Sequence, residues 1–421
     1  MAAHPHNRLG LYLSIPFCRS KCTYCNFASG VYPASEHARY VERLIEDMRA
    51  AGEWSERMGL ELPRKVDTVY LGGGTPSLLA PELLARLFAV VRAEFDLEPA
   101  AEITVECAPG QIAGSTLEAL TASGVNRVSL GVQSFIDREA QVSGRLHSRA
   151  IVELDLARLR SAGIANLNVD LIAGLAGQTA ASWEESLNVL IACGVPHASV
   201  YMLEVDEDSR LGREMLSGGA RYYAELVPTD DAIAGMYTRA IERLAQGGLD
   251  QYEISNFCRP GFTSRHNLRY WQRRAYLGLG LDASSMAFAL PAADDADARH
   301  ALRWTTTSEL TDFLAGPEPV ETAWLSPARQ HEEAWFLGLR LNRGVDIAAV
   351  ERGFEPELVA RALQVVHTLA EDGLLESDGR AVRLTARGRM ISNDVFQEFL
   401  GLDAGQAQPD LQRNRRSLAS R

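Results

Sequence analysis

The stretch Leu9–Phe27, LGLYLSIPFCRSKCTYCNF, decides the reading of this chain. Its first part, Leu9 to Ile15, is a short apolar run of the kind that makes a buried strand, and it is far too short to span a membrane. It leads directly into Cys18, Cys22 and Cys25, spaced CxxxCxxC. The remaining cysteines, Cys107, Cys193 and Cys258, are scattered, and a disulfide scaffold does not suit a chain of 421 residues with 46% hydrophobic content. Thiolates are soft ligands that favour iron-sulfur clusters, zinc or copper. Structural zinc normally takes four protein ligands, and the one nearby histidine, His37, falls on the helix expected to follow. Three thiolates on a four-iron cluster leave one iron open to a bidentate small molecule. From the residues alone, zinc and inert core cysteines remain alternatives.

Outward from this stretch the chain alternates strand and helix. Strands are expected over Leu9–Ile15, Lys65–Leu71, Glu102–Glu106, Arg127–Gly131, Asn166–Ile172 and His197–Leu203. Helices fall between them over Glu36–Ala51, Pro81–Phe95, Ser115–Ala122, Arg149–Ala162 and Ser182–Ile191. Pro81 suits a first helical turn and Gly124 a helix end. This rhythm specifies an α/β fold with a parallel sheet, either open or closed into a full or partial barrel. In both, ligands gather at the carboxyl ends of the strands. There the sequence places CRSKCTYCNF, GGGTPS, ECAPG, GVQS and DLIAGLAGQ. Turns are rich in Gly and Pro anyway, so any one of these loops is unremarkable alone; five on one rim describe a site.

Farther on, Tyr222–Leu249 reads as helix and residues 251–287 as a dense aromatic, glycine-rich segment. Residues 291–300 form an acidic loop that divides domain 1–290 from a mainly helical domain, 301–402. Helices are expected there near Glu321–Leu339, Ile347–Arg352 and Pro356–Glu371, followed by a hairpin over Leu374–Leu384, a winged-helix-like pattern. A polar tail, 403–421, closes the chain. Forty-two basic against 55 acidic residues set the net charge at -13, which argues against broad nucleic-acid binding. No apolar run reaches membrane-spanning length, MAAHPHNRLG lacks a signal-peptide core, and the expected compartment is the cytoplasm.

CRSKCTYC resembles the signature of the radical S-adenosylmethionine superfamily. The resemblance implies a [4Fe-4S] cluster on Cys18, Cys22 and Cys25, with S-adenosylmethionine chelating the fourth iron. It implies that Tyr24 lies near the adenine and that Gly72, Gly73 and Gly74, with Thr75, hold the amino group. The implied fold is a partial parallel (β/α) barrel, here of about six units. The segments YLGGGTPS, VNRVSLGVQSF, NLNVDLIAGLAGQT, YEISNFCRPGFTSRHNLRYW and YLGLG are similar to the branch around oxygen-independent coproporphyrinogen oxidase, over roughly residues 8–402. In that branch Glu106, Gln133 and Asp170 line the cofactor or its ribose. Genuine oxidases carry a further cysteine two residues after the last ligand, where this chain has Phe27, which the resemblance counts among the cofactor-binding residues. The haem chaperones of the branch do not, and HNLRYW matches their haem-binding signature, with His266 as the implied iron ligand.

The resemblance therefore implies a haem-binding chaperone that delivers haem, or another tetrapyrrole, to apo-haemoproteins and meets an electron donor. Its alternative is a catalytic enzyme that generates a 5'-deoxyadenosyl radical: a methyltransferase, a cyclopropanase or a coproporphyrinogen oxidase-like protein. Departures from the pattern bear on the second ligand. Ala173 and Ala176 replace an aromatic and a proline, Cys258 replaces a common alanine, and Leu281–Ser285 reads LDASS, with Ser284 where a histidine is usual. On the residues alone, Glu106 could pair with an arginine, Gln133 could bridge loops, Asp170 could cap a helix, and His266 could be a packed, hydrogen-bonded histidine. Arg265, Arg269, Arg273 and Arg274 could meet haem propionates or form a charged face.

Overall fold

The computed structural model describes residues 7–290, 300–316 and 321–402. The expected polar tail, and residues 291–299 of the expected acidic loop, lie outside the described residues. The chain divides into two compact units, one ending at Leu325 and the other starting at Ser326.

The first unit is built on strands β1 (Leu9–Ile15), β2 (Leu60–Glu61), β3 (Lys65–Gly73), β4 (Asp96–Cys107), β5 (Arg127–Gln133), β6 (Asn166–Ala173), β7 (His197–Met202), β8 (Asp250–Glu253), β9 (Asn256–Cys258), β10 (Tyr276–Leu279), β11 (Ser284–Ala289), β12 (Ala301–Thr305) and β13 (Glu321–Leu325). They form one mixed sheet in the order β13-β12-β11-β10-β1-β3-β4-β5-β6-β7-β9-β8, with β2 beside β11. The six expected strands are the parallel run β1-β3-β4-β5-β6-β7. A seventh, β10, joins in parallel on the other side of β1, with Leu13 opposite Leu279.

Burial explains the apolar runs. Every residue of β1 except Tyr12 is buried, because a parallel strand is covered on both faces. The helix Ala34–Arg57 turns Tyr40, Val41, Leu44, Ile45 and Met48 inward. Each such side chain contributes about 1.5–3 kcal/mol of hydrophobic stabilisation. Local chemistry sets the ends of several helices. Pro81 opens Pro81–Glu94, and Thr179 and Ser182 cap Ala180–Ala192 reciprocally.

The structure redraws three elements. The expected helix Tyr222–Leu249 is a 3-10 turn, Ala224–Leu226, and then a helix, Asp230–Gln246. Pro228 interrupts the run and Thr229 caps the new start. The expected helix Glu321–Leu339 is β13 followed by Pro327–Gly338. Ser326 caps that helix with Pro327 in its first turn, while Glu321–Leu325 pairs antiparallel with β12. The expected boundary near residue 300 moves for the same reason. Strands β12 and β13 extend the first sheet, so the second unit begins 25 residues later than position 301, at 326.

The second unit holds helices Pro327–Gly338, Ile347–Gly353 and Pro356–Glu371. A small sheet joins β14 (Val345–Asp346), β15 (Leu375–Ser377) and β16 (Ala381–Leu384) in the order β14-β16-β15. Trp335, fully buried, stacks on Phe399 with ring centroids 5.3 Å apart.

Candidate cofactor site at the strand ends

The cysteine loop leaves β1 and is held by its own backbone. Cys18 N–H donates to Gly30 O at 2.8 Å, and Gly30 N–H to Pro16 O at 2.9 Å. The β3 end lies against it: Gly74 N–H donates to Ile15 O at 2.9 Å and Thr75 N–H to Phe17 O at 2.8 Å. Gly74 must be glycine for this approach, since a Cβ there would sit 2.8 Å from the carbonyl oxygens of Ile15 and Phe17. On the other side, Thr23 N–H donates to Ser143 O at 3.1 Å, and Leu211 N–H to Thr23 O at 2.9 Å. The loop is thus clamped between three separate parts of the chain.

Cys18, Cys22 and Cys25 are half-buried free thiols. The Thr75 hydroxyl lies 3.9 Å from the Cys18 sulfur, and Ser29 Oγ 3.8 Å from that of Cys25. Burial pushes the Cys18 thiol up, against the lowering effect of hydrogen bonds from Ser29 and Thr75; the nearby Cys25 and Cys22 raise it further. The three cysteines share one loop, and thiolate sulfur is the donor type that soft metals take. Among the described residues no three His, Cys, Asp or Glu side chains converge closely enough to hold one metal ion.

One face of the parallel run is polar. Glu106, at the end of β4, accepts from the Tyr70 hydroxyl at 2.8 Å and from Gly73 N–H at 3.2 Å. Burial pushes its carboxyl up to about 7, with Asp170 adding repulsion. Asp170 accepts from Ser129 Oγ at 3.1 Å and from Asn168 Nδ2 at 2.6 Å. Burial raises its pKa, while hydrogen bonds from Ser199, Asn168 and Ser129 oppose the rise. Gln133 ends β5 at φ 71°, a conformation uncommon outside glycine, and its buried Oε1 has no hydrogen-bond partner among the described residues. A buried acceptor without a donor at a strand end is a place for a ligand N–H or O–H.

Gly73 also has a left-handed backbone, φ 100°, and a Cβ on Gly72 would meet the Glu106 carboxylate at 2.9 Å. The glycine triplet lets the backbone of β3 approach both the cysteine loop and Glu106. The structure thus brings Cys18, Cys22, Cys25, Tyr24, Gly72, Gly73, Gly74, Thr75, Glu106, Gln133 and Asp170 to the carboxyl ends of adjacent strands. Phe27, expected among the cofactor-binding residues, is 63% exposed.

Arg145 belongs to this set and was missed in the sequence. It donates to the Tyr24 hydroxyl at 3.3 Å, and its buried Nε has no partner among the described residues. Burial works against its charge, but Tyr24, Cys22 and Asp170 hold it protonated. It sits in a turn with no motif around it; only its position shortly after the fourth strand's loop could have pointed to it.

His266 stands apart. It is the second residue of a short helix, Arg265–Trp271, docked where the strands begin. Arg265 and His266 N–H both donate to the Glu102 carboxylate at 3.0 Å. The ring is 1% exposed and both nitrogens are engaged, Nδ1 with Thr68 Oγ1 at 3.0 Å and Nε2 with the Tyr270 hydroxyl at 2.9 Å. Burial, together with Arg269 and Arg127, pulls its pKa down to about 3, so the ring is neutral. Arg269 is ion-paired with Asp67 and donates to the carbonyls of Arg8 and Ala275. In this arrangement neither His266 nor Arg269 is open to an iron or a propionate.

The altered loop 281–285 is tied to the carboxyl end of β1. Leu281 N–H donates to the Tyr40 hydroxyl at 2.8 Å, which donates in turn to Ser14 O at 2.6 Å. Ser284, where a histidine is usual, is exposed and faces Thr305 Oγ1 at 3.0 Å.

Comparison with known proteins places this geometry. The Radical SAM superfamily model matches residues 12–190, and the HemN C-terminal domain model residues 325–391. The chain is 32% identical to the heme chaperone HemW of Lactococcus lactis subsp. lactis (strain IL1403), over 92% of this chain and 96% of that protein. The chain belongs to the HemW-like branch of the radical S-adenosylmethionine superfamily. Its likeness to the HemW of Mycobacterium tuberculosis (strain ATCC 25618 / H37Rv) is also 32%, over 95% and 97% of the two chains. A mitochondrial relative from Bos taurus, radical S-adenosyl methionine domain-containing protein 1, is 31% identical over 93% and 87%. Among solved structures, coproporphyrinogen III oxidase (HemN) from Escherichia coli shares the fold with a TM-score of 0.78. It is 22% identical, and 94% of this chain and 91% of that one are covered. Among the described residues of this HemW-like chain no helix is long and apolar enough to cross a membrane.

Proposed function

We propose that this chain is a haem-binding chaperone that delivers haem to apo-haemoproteins. The observation that carries the reading is the likeness, over more than nine-tenths of both chains, to proteins named as haem chaperones. Phe27, in place of the further cysteine of the oxidases, supports it. Cys18, Cys22 and Cys25 would hold a [4Fe-4S] cluster, and three thiols clamped in one loop fit that role. Tyr24, Gly72–Gly74, Thr75, Glu106, Gln133, Asp170 and Arg145 would hold S-adenosylmethionine. The unpartnered Gln133 Oε1 and the paired carboxylates suit its amino and hydroxyl groups. When bound, the cluster supplies an electron to S-adenosylmethionine, drawn from an electron donor. The parallel run is read as a partial barrel, the second unit as winged-helix-like, and the compartment as cytoplasm.

A catalytic radical enzyme is the second reading, favoured by the intact carboxylates Glu106 and Asp170. The test is anaerobic reconstitution of the full chain with iron and sulfide, followed by haem titration and mixing with an apo-haemoprotein. About four irons per chain, a Soret band on haem addition and haem transfer are expected. Formation of 5'-deoxyadenosine coupled to conversion of a tetrapyrrole, with no haem transfer, would replace the chaperone reading with the enzymatic one.

A further inference from the structure

The helix that carries HNLRYW is built into the sheet rather than presented to a ligand. Arg269 crosses the start of β1 where Gly10 leaves room, and a Cβ on Gly10 would lie 2.9 Å from Thr68 Oγ1 as well as against the Arg269 side chain. Asp67, Thr68 and Glu102 hold the helix from β3 and β4. Tyr270 packs with Tyr276, Met286, Phe288, Ala301 and Leu325. Every polar atom of the His266 ring already has a partner, so an iron would have to displace a buried hydrogen bond to reach it.

The ring's free surface points a different way. His266 stacks on Tyr70, with centroids 5.2 Å apart and planes at 30°, and approaches Tyr12 at 6.4 Å. Tyr12 and Tyr70 lie side by side, in register on β1 and β3. The hydroxyl of Tyr70 is the one that donates to Glu106. A contiguous line therefore runs from the strand starts to the strand ends: Thr68 and Tyr270 fix His266, its ring fixes Tyr70, and Tyr70 fixes the Glu106 carboxylate. An imidazole held neutral and doubly hydrogen-bonded is rigid, which suits this duty.

We propose that His266 is a positioning residue for the S-adenosylmethionine site, acting through Tyr70 on Glu106, and that it is not the iron ligand of bound haem. This rests on the reading of Glu106 as a contact of S-adenosylmethionine. The test uses the reconstituted full chain and three variants: His266→Gln, whose amide can still meet Thr68 and Tyr270, His266→Ala, and Tyr270→Phe, which frees Nε2. Two equilibria are read separately, haem binding by the Soret band and S-adenosylmethionine binding by calorimetry.

The expected result is haem affinity within twofold of the parent in all three variants. S-adenosylmethionine binding should weaken about tenfold in His266→Ala and recover to within threefold in His266→Gln. Should His266→Ala fail to fold, the Gln and Phe variants decide by haem binding. Haem affinity falling tenfold or more in His266→Gln, or a shifted Soret band with tighter haem in Tyr270→Phe, would overturn the proposal. Equal S-adenosylmethionine affinity in the parent and every folded His266 variant would overturn it too. A parent chain with an intact cluster that binds no S-adenosylmethionine would instead remove the underlying reading of Glu106.

Discussion

Replacing Glu106 by Gln should make the cluster-free protein more stable at pH 8 than at pH 5, relative to the parent. Burial and the nearby Asp170 raise the Glu106 carboxyl from 4.5 to about 7 in the folded chain. The folded state therefore holds a proton that the unfolded state gives up between those values. Stability from this group is fully present below pH 4.5 and falls as the pH rises through about 7. Integrated from pH 5 to pH 8, a single group with these two values costs the folded parent about 2.5 kcal/mol. Because Glu106 is only half-buried by surface area, solvent screening reduces this to about 1–2 kcal/mol.

Gln cannot ionise, so its variant escapes that loss. Its amide oxygen can accept from Gly73 N–H and its amide nitrogen donate to the Tyr70 hydroxyl, which turns from donor to acceptor; that rearrangement costs up to about 1 kcal/mol at either pH. Urea unfolding of the first unit, under reductant at pH 5 and pH 8, separates the two effects. The variant should be less stable than the parent at pH 5 and equal or more stable at pH 8. A stability difference that does not change between the two pH values would falsify the account of Glu106 as a strained carboxylate kept for ligand binding. The same variant should bind S-adenosylmethionine more weakly, the usual conflict between stability and function at a binding site.

Three further outcomes follow from the geometry. Gly74→Ala should push the cysteine loop off the β3 end, because its Cβ meets backbone carbonyls that cannot yield; iron and sulfide per chain after reconstitution should fall by more than half. Arg145→Leu should keep the iron content but weaken S-adenosylmethionine binding about tenfold, as it removes the cation beside Tyr24, Cys22 and Asp170; unchanged calorimetry would show that Arg145 only braces the loop. Asp67→Asn leaves the Arg269 guanidinium buried without its carboxylate, and denaturant unfolding should show a loss of about 3 kcal/mol, with no gain or loss of haem binding.

Much of the fold was legible because its signals are local. The six parallel strands emerge where apolar runs alternate with amphipathic helices, and their carboxyl ends carry the expected loops. The missed elements depend on partners distant in sequence. Glu321–Leu325 joins a helical-looking run, yet it forms a strand because Ala301–Thr305 offers it an edge. The early residues of β4, Asp96–Ala101, look like loop but extend the strand, with Asp96 and Leu97 beside Lys65 and Val66 of β3.

The site divides in the same manner. The sequence by itself determined the three thiols, their spacing and the glycine triplet, because ligand type and turn conformation are properties of a few adjacent residues. It also placed Glu106 and Gln133 at or just past strand ends and Asp170 within the next strand, since a strand's extent is set by its own pattern. Only the tertiary structure decided that Arg145 closes over Tyr24, and that His266 stands at the opposite ends of the strands from the cysteines with both nitrogens taken. Those facts depend on which distant groups share a small, poorly hydrated space, and hydrogen bonding and burial there are not written in any short stretch of chain.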